Sequence, residues 1–126
     1  MFRLLVDHEF NERILRGVQS RAEVDVVLAR AVALQDKPDE VLLARAAAEE
    51  RIVLSHDLET MPRFAIAQVR AGIGMPGLIL VPQDLAIGRA IEELTILLLC
   101  SDQEEWRDII VYIPLRFTRL WNFGSG

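Results

Sequence analysis

Arg51-Ile52-Val53-Leu54-Ser55-His56-Asp57 is the stretch that decides the fold. An apolar run that ends on Ser, His and Asp reads as a short buried strand stopping at a polar rim. The N-terminus repeats the pattern, with Arg3-Leu4-Leu5-Val6 closed by Asp7. Two such strands with helical sequence between them predict crossover connections, right-handed ones, and therefore a parallel sheet with helices on both faces.

Working outward, Asn11 is a competent N-cap with Glu12 in the first turn. Ile14, Leu15 and Val18 follow at helical spacing, so a helix is expected to about Ser20. Val24, Val26, Val27 and Leu28 form a β-branched second strand whose end is blurred by alanines. Pro38, Asp39 and Glu40 open a helix through Val41, Leu42, Leu43, Ala46 and Ala47. After the stretch at 51–57, Thr60-Met61-Pro62 starts a helix that runs to Gly72. Leu78 to Val81 is the fourth strand, and Ile87 to Leu98 a long apolar helix. Ser101 with Glu104 has capping-box spacing ahead of Trp106. Ile109 to Ile113 is the last expected strand, and the stretch from Arg116 to Gly126 reads as an unstructured or expression-derived tail.

The chain has 126 residues, enough for one domain with a real core. Hydrophobic residues make up 52% and charged residues 26%, which excludes both a disordered chain and a membrane-spanning one. Cys100 is the single cysteine, so neither an internal disulfide nor a cysteine-based metal site is open to the chain. With no export signal at the N-terminus, a cytoplasmic location is expected. A net charge of -5 argues against loose binding to nucleic acid, although thirteen of the fourteen basic residues are arginine, which suits phosphate locally.

Loops after the carboxyl ends of parallel strands gather at one edge, so Asp7 and Asp57 are expected side by side there. Asp39 and Glu40 open the helix leading into the third strand, and on residue type alone they are equally well explained as helix-start acids. Several acids on one rim repel unless a cation or a shared proton offsets them. Mg²⁺ or Mn²⁺ suits carboxylate oxygens and serves phosphodiester hydrolysis. Glu9 and Glu59 read as solvated loop acids. His8 and His56, the two histidines, are too few for a zinc site and read as supporting loop residues.

The order of these motifs resembles a known family. The resemblance is carried by Leu4-Leu5-Val6-Asp7 with Phe10, Asn11, Ile14, Leu15, Arg16 and Gly17, and by Asp39, Val41, Leu42 and Ala46 to Ala48. It continues through Arg51 to Asp57, Thr60-Met61-Pro62, Met75-Pro76-Gly77 and Glu104-Glu105-Trp106. The chain resembles the small PIN-like toxins of bacterial type II toxin–antitoxin pairs over residues 2 to about 115. The resemblance implies a PIN-like three-layer α/β domain over residues 1–115 and an Mg²⁺- or Mn²⁺-dependent ribonuclease silenced by a small antitoxin protein. It puts Asp7, Asp39 and Asp57 on the metal, with Glu59 the candidate fourth acid and Asn11 a supporting group. Arg13, Arg16 and Arg63 are then candidates for steadying the RNA backbone. His8 and Glu9 stand where members often carry two acidic or amide residues.

Two other classes remain in play. A receiver domain also has acids after its first and third strands, but it needs a lysine after its last strand, and the one lysine here is Lys37. A catalytically silent interaction module would use apolar surface instead. Leu94, Ile96, Leu97, Leu98 and Leu99 are apolar around nearly the whole helix, as in a covered core helix or an oligomer contact.

Overall fold

The computed structural model describes residues 1–34 and 36–119. Among the described residues, six strands form one sheet: β1 (Phe2–Val6), β2 (Val24–Leu28), β3 (Ile52–Ser55), β4 (Leu78–Leu80), β5 (Ile109–Tyr112) and β6 (Arg116–Arg119). Their order across the sheet is β2-β1-β3-β4-β5-β6, the first five parallel and β6 antiparallel to β5. The helices are α1 (Glu12–Gln19), α2 (Asp39–Ala48), α3 (Met61–Arg70) and α4 (Ile87–Cys100). The chain is thus a three-layer α/β domain, as the alternation of apolar strands and amphipathic helices predicts.

Period-two geometry divides each strand between two cores. Phe2, Leu4 and Val6 of β1 face Ile14, Leu15 and Val18 of α1 and Ala90, Leu94 and Leu97 of α4. Leu5, Val53, Leu78 and Leu80 face Leu42, Leu43 and Ala46 of α2 and Met61 and Ala65 of α3. Burying each large side chain of this kind contributes about 1.5–3 kcal/mol. That is why Leu4 to Val6 of β1 and Ile52 to Leu54 of β3 are all apolar, the one charged residue in either strand being the exposed Arg3 near the start of β1.

The sides taken by the helices correct one expectation. The step from β1 to β2 goes one way across the sheet with α1 on one face. The steps from β2 to β3 and from β3 to β4 go the other way with α2 and α3 on the opposite face, so all three connections share one hand. The step from β4 to β5 continues in that second direction, yet α4 lies on the α1 face. Its hand is therefore opposite to that of the first three, against the usual uniformity of parallel crossovers. The compensation is packing. α4 lies so close to α1 that a Cβ on Gly17 would stand 2.3 Å from Ile91 Cδ1, and the 3-10 turn Gln103–Trp106 lengthens the return to β5.

Other boundaries moved for local reasons. The capping box is formed by Asp102 and Glu105, one residue later than expected. Ser101 is otherwise engaged, its hydroxyl donating to Leu97 O at 2.5 Å and accepting from Trp106 Nε1 at 2.8 Å. The first four residues of the expected tail form β6, because pairing satisfies the backbone groups along the outer edge of β5. Leu120 to Gly126 lie outside the described residues. On α4, Leu94, Leu97 and Leu98 are buried whereas Ile96 and Leu99 are exposed, so the helix is a core helix with an apolar outer stripe.

At the opposite edge from the loops that bear the acids, Arg51 is buried and fixes three segments. Its Nη1 donates to Leu4 O at 3.3 Å, Asp25 O at 3.2 Å and Asp25 Oδ1 at 3.0 Å, while Nε donates to Glu49 at 3.1 Å. Near it, Gly77 adopts φ +146°, and a Cβ there would meet the Trp106 carbonyl at 3.0 Å.

Candidate active site

The register Val6↔Leu54 ends β1 and β3 side by side, so Asp7 and the Ser55-His56-Asp57 turn emerge together at the carboxyl edge. Asp39 comes to the same place as the first residue of α2. An open cleft of about 520 Å³ is lined there by Asp7, His8, Glu9, Asp39, His56, Asp57, Leu58, Glu59, Thr60 and Gln83. None of these is Arg or Lys.

Hydrogen bonds hold the acids in a chain. Ser55, fully buried at the end of β3, donates its hydroxyl to Asp7 Oδ2 at 2.8 Å and accepts the Asp57 amide at 3.0 Å. Asp7 Oδ1 accepts the His8 amide at 2.9 Å. Asp57 Oδ1 accepts the amides of Glu59 and Thr60 at 3.0 and 2.9 Å, closing the turn that starts α3. The Thr60 hydroxyl stands between Asp57 Oδ2 and Asp39 Oδ2, the latter at 3.2 Å. A hydroxyl has one hydrogen, so it serves only one of the two carboxylates at a time.

Electrostatics separates the two acids accordingly. Burial raises Asp39, the Thr60 hydroxyl pulls it back only in part, and the charges of Asp57 and Asp7 push it further up, so its carboxyl titrates above the ordinary range. Burial also pushes Asp57 upward. The Thr60 hydroxyl and the amides of Thr60, Glu59 and Met61 outweigh that and hold Asp57 below its ordinary value.

His56 is a clamp. Its Nδ1 lies 2.7 Å from Val81 O, which only accepts, and its Nε2 lies 3.1 Å from the Asn11 amide, which only donates. The ring is therefore a neutral imidazole carrying its hydrogen on Nδ1. Phe10 stacks on it at 4.3 Å between centroids. The clamp joins the ends of β3 and β4 to the start of α1 and fixes the floor of the cleft.

The structure brings Asp7, Asp39, Asp57 and the exposed Glu59 to one cleft. It does not bring the other expected site residues there. Asn11 is spent on capping α1, accepting the Arg13 amide at 2.8 Å. Arg13, Arg16 and Arg63 are exposed and none lines the cleft. Among the described residues, no three His, Cys, Asp or Glu side chains stand close enough together to hold a metal ion. The Asp39 and Asp57 carboxyls share the Thr60 hydroxyl and also interact side chain to side chain, whereas Asp7 is tied to Asp57 through Ser55 and the Asp57 backbone amide. Ser55 and Thr60 themselves were missed in the sequence. The clue to Ser55 is a polar residue ending an otherwise apolar strand, and the clue to Thr60 is its place three residues beyond Asp57, within reach of that side chain.

No family model, curated protein or solved structure matches the chain. Among the described residues, no helix is long and apolar enough to cross a membrane.

Proposed function

We propose that the chain is a metal-dependent phosphodiesterase acting on RNA, with Asp7, Asp39 and Asp57 as the residues that would hold Mg²⁺ or Mn²⁺. The observation that carries this reading is the meeting of three aspartates from separate segments in one cleft with no Arg or Lys in its lining. Burial raises the Asp39 carboxyl and the charges of Asp57 and Asp7 push it further up, a repulsion that a hard cation would relieve. Carboxylate oxygens are the donors such a cation prefers. For Asp39 and Asp57 to share it, they must turn from the Thr60 hydroxyl that now lies between them.

A bound Mg²⁺ or Mn²⁺ supplies an activated water and charge stabilisation at the phosphoryl group. The chain's own part is positional. Ser55 fixes Asp7 Oδ2, the amides of Glu59 and Thr60 fix Asp57 Oδ1, and the His56 clamp holds the loops beneath them. Glu59, in the lining and exposed, is the fourth acid and can take up a proton from an attacking water. The role of a type II toxin with an antitoxin partner rests on the sequence resemblance to PIN-like toxins. The receiver reading has no support in the cleft, because Lys37 does not line it.

A catalytically silent interaction module is the second reading, favoured by the exposed Ile96 and Leu99 on α4. The test is cleavage of mixed RNA by purified protein with Mn²⁺, against EDTA and the Asp57→Asn variant, together with calorimetric titration of Mn²⁺. Cutting and cation binding that both vanish in Asp57→Asn support the nuclease. Full-length RNA in every sample and no binding heat favour the silent module.

A further inference from the structure

We propose that the groove between α1 and β2, through Arg16 and Arg30, binds the phosphodiester backbone of a single-stranded RNA beside the acidic cleft, with Glu12 as a built-in competitor for Arg30. The inference rests on the nuclease reading above and extends it to the path of the substrate.

Without a bound cation the acidic cleft repels a polyanion, since Asp7, Glu9, Asp39, Asp57 and Glu59 line it without a compensating Arg or Lys. An RNA that enters it needs cationic contacts on the flanking surface. The register Val6↔Leu28 ends β2 level with β1, so the residues after Leu28 stand on the same rim as Asp7, one strand spacing of about 4.8 Å away. Arg30 is the second residue after Leu28, in the 3-10 turn Ala29–Val32.

A groove of about 310 Å³ opens there, lined by Glu12, Leu15, Arg16, Gln19, Val26, Leu28 and Arg30. Its floor is apolar, its wall carries two guanidinium groups and an amide, and both arginines are exposed. Guanidinium forks suit phosphate oxygens, and an apolar floor beside them suits the face of a base.

Glu12 is the informative residue. Arg30 is ion-paired to Glu12, and Arg30 holds the Glu12 carboxyl below its ordinary range through that contact. A phosphate must compete with this carboxylate. Removing the Glu12 charge and removing the Arg30 charge therefore act in opposite directions on RNA binding, which a purely structural role for the pair does not produce.

The experiment is fluorescence anisotropy of a short labelled single-stranded RNA with the full-length protein, at low salt and in EDTA so that nothing is cut. Arg30→Gln and Arg16→Gln each weaken binding by roughly threefold to tenfold and lower the salt slope by about 0.7. Glu12→Gln tightens binding, and Arg21→Gln, an equal charge change outside the groove, has a smaller effect than either groove arginine. Equal losses in Arg21→Gln and Arg30→Gln, or weaker binding in Glu12→Gln, overturn the proposal. So does an absence of RNA binding by the wild type, or displacement of the RNA by polyglutamate at equal charge concentration. Cleavage with Mn²⁺ is scored separately: binding that follows the groove pattern without any cutting refutes the nuclease and leaves the groove standing. Cutting with no groove pattern refutes only the groove.

Discussion

Asp39→Asn is expected to stabilise the protein at neutral pH. Folding raises the Asp39 carboxyl above its ordinary value of 3.8. Between that value and the higher folded one, the native chain therefore binds more protons than the unfolded chain. Stability falls as pH rises through this window, and the penalty is fully present at pH 7. Asparagine removes the charge. Its amide also donates to Thr60 Oγ1, so that the single Thr60 hydrogen is left for Asp57, in place of two carboxylates competing for it. The relieved charge penalty, discounted for the solvent that still reaches a half-buried carboxyl, contributes a few tenths of a kcal/mol. The new hydrogen bond contributes about 1 kcal/mol. Loss of a negative charge at the start of α2 subtracts about 0.5 kcal/mol. The net gain is about 1 kcal/mol, a rise in Tm of roughly 3–5 °C. Urea denaturation at pH 7 and again below pH 3.8 measures it. The gain shrinks in acid, where the wild-type carboxyl is protonated too. A variant less stable than wild type at pH 7, or a gain that grows as the pH falls, refutes the electrostatic account of the cleft.

Gly17→Ala sets helix propensity, a gain of about 1 kcal/mol, against overpacking of Ile91, a cost of roughly 1–3 kcal/mol. A net loss of about 1 kcal/mol is expected in urea titration, and Ile91→Val, which removes the nearest atom, recovers part of it in the double mutant. Arg51→Ala strips Leu4 O and Asp25 of their shared donor and is expected to cost roughly 2–4 kcal/mol. A thermal melt within a degree of wild type would show that the cluster contributes nothing.

The elements were legible because each rests on a local cause. Ile52 to Leu54 and Leu4 to Val6 are apolar runs with nowhere to go but a sheet covered on both faces, and Asn11 caps its own helix. Convergence of Asp7 and Asp57 at one rim followed from strand direction alone. The side of the sheet taken by α4 did not, because its amphipathic pattern says that one face is buried and not against which layer. The capping box slipped by one residue because Ser101-Asp102-Gln103-Glu104-Glu105 holds two pairings at the same spacing, and the contact between Ser101 and Trp106 decides between them. Ser55 and Thr60 were missed as site residues for a similar reason. A hydroxyl near a strand end has many uses, and its assignment needs the carboxylates that come from elsewhere in the chain.

The return of α4 across the α1 side bears on how the molecule is made. The layer that shields β1 is assembled from the first helix and the last, so no shorter leading piece of the chain owns a finished interior. A nascent polypeptide that has emerged only as far as Val81 can set Ile14, Leu15 and Val18 against β1 but lacks the α4 side of the core they share. It must wait for the ribosome to deliver Ala90, Leu94 and Leu97 before that wall can close.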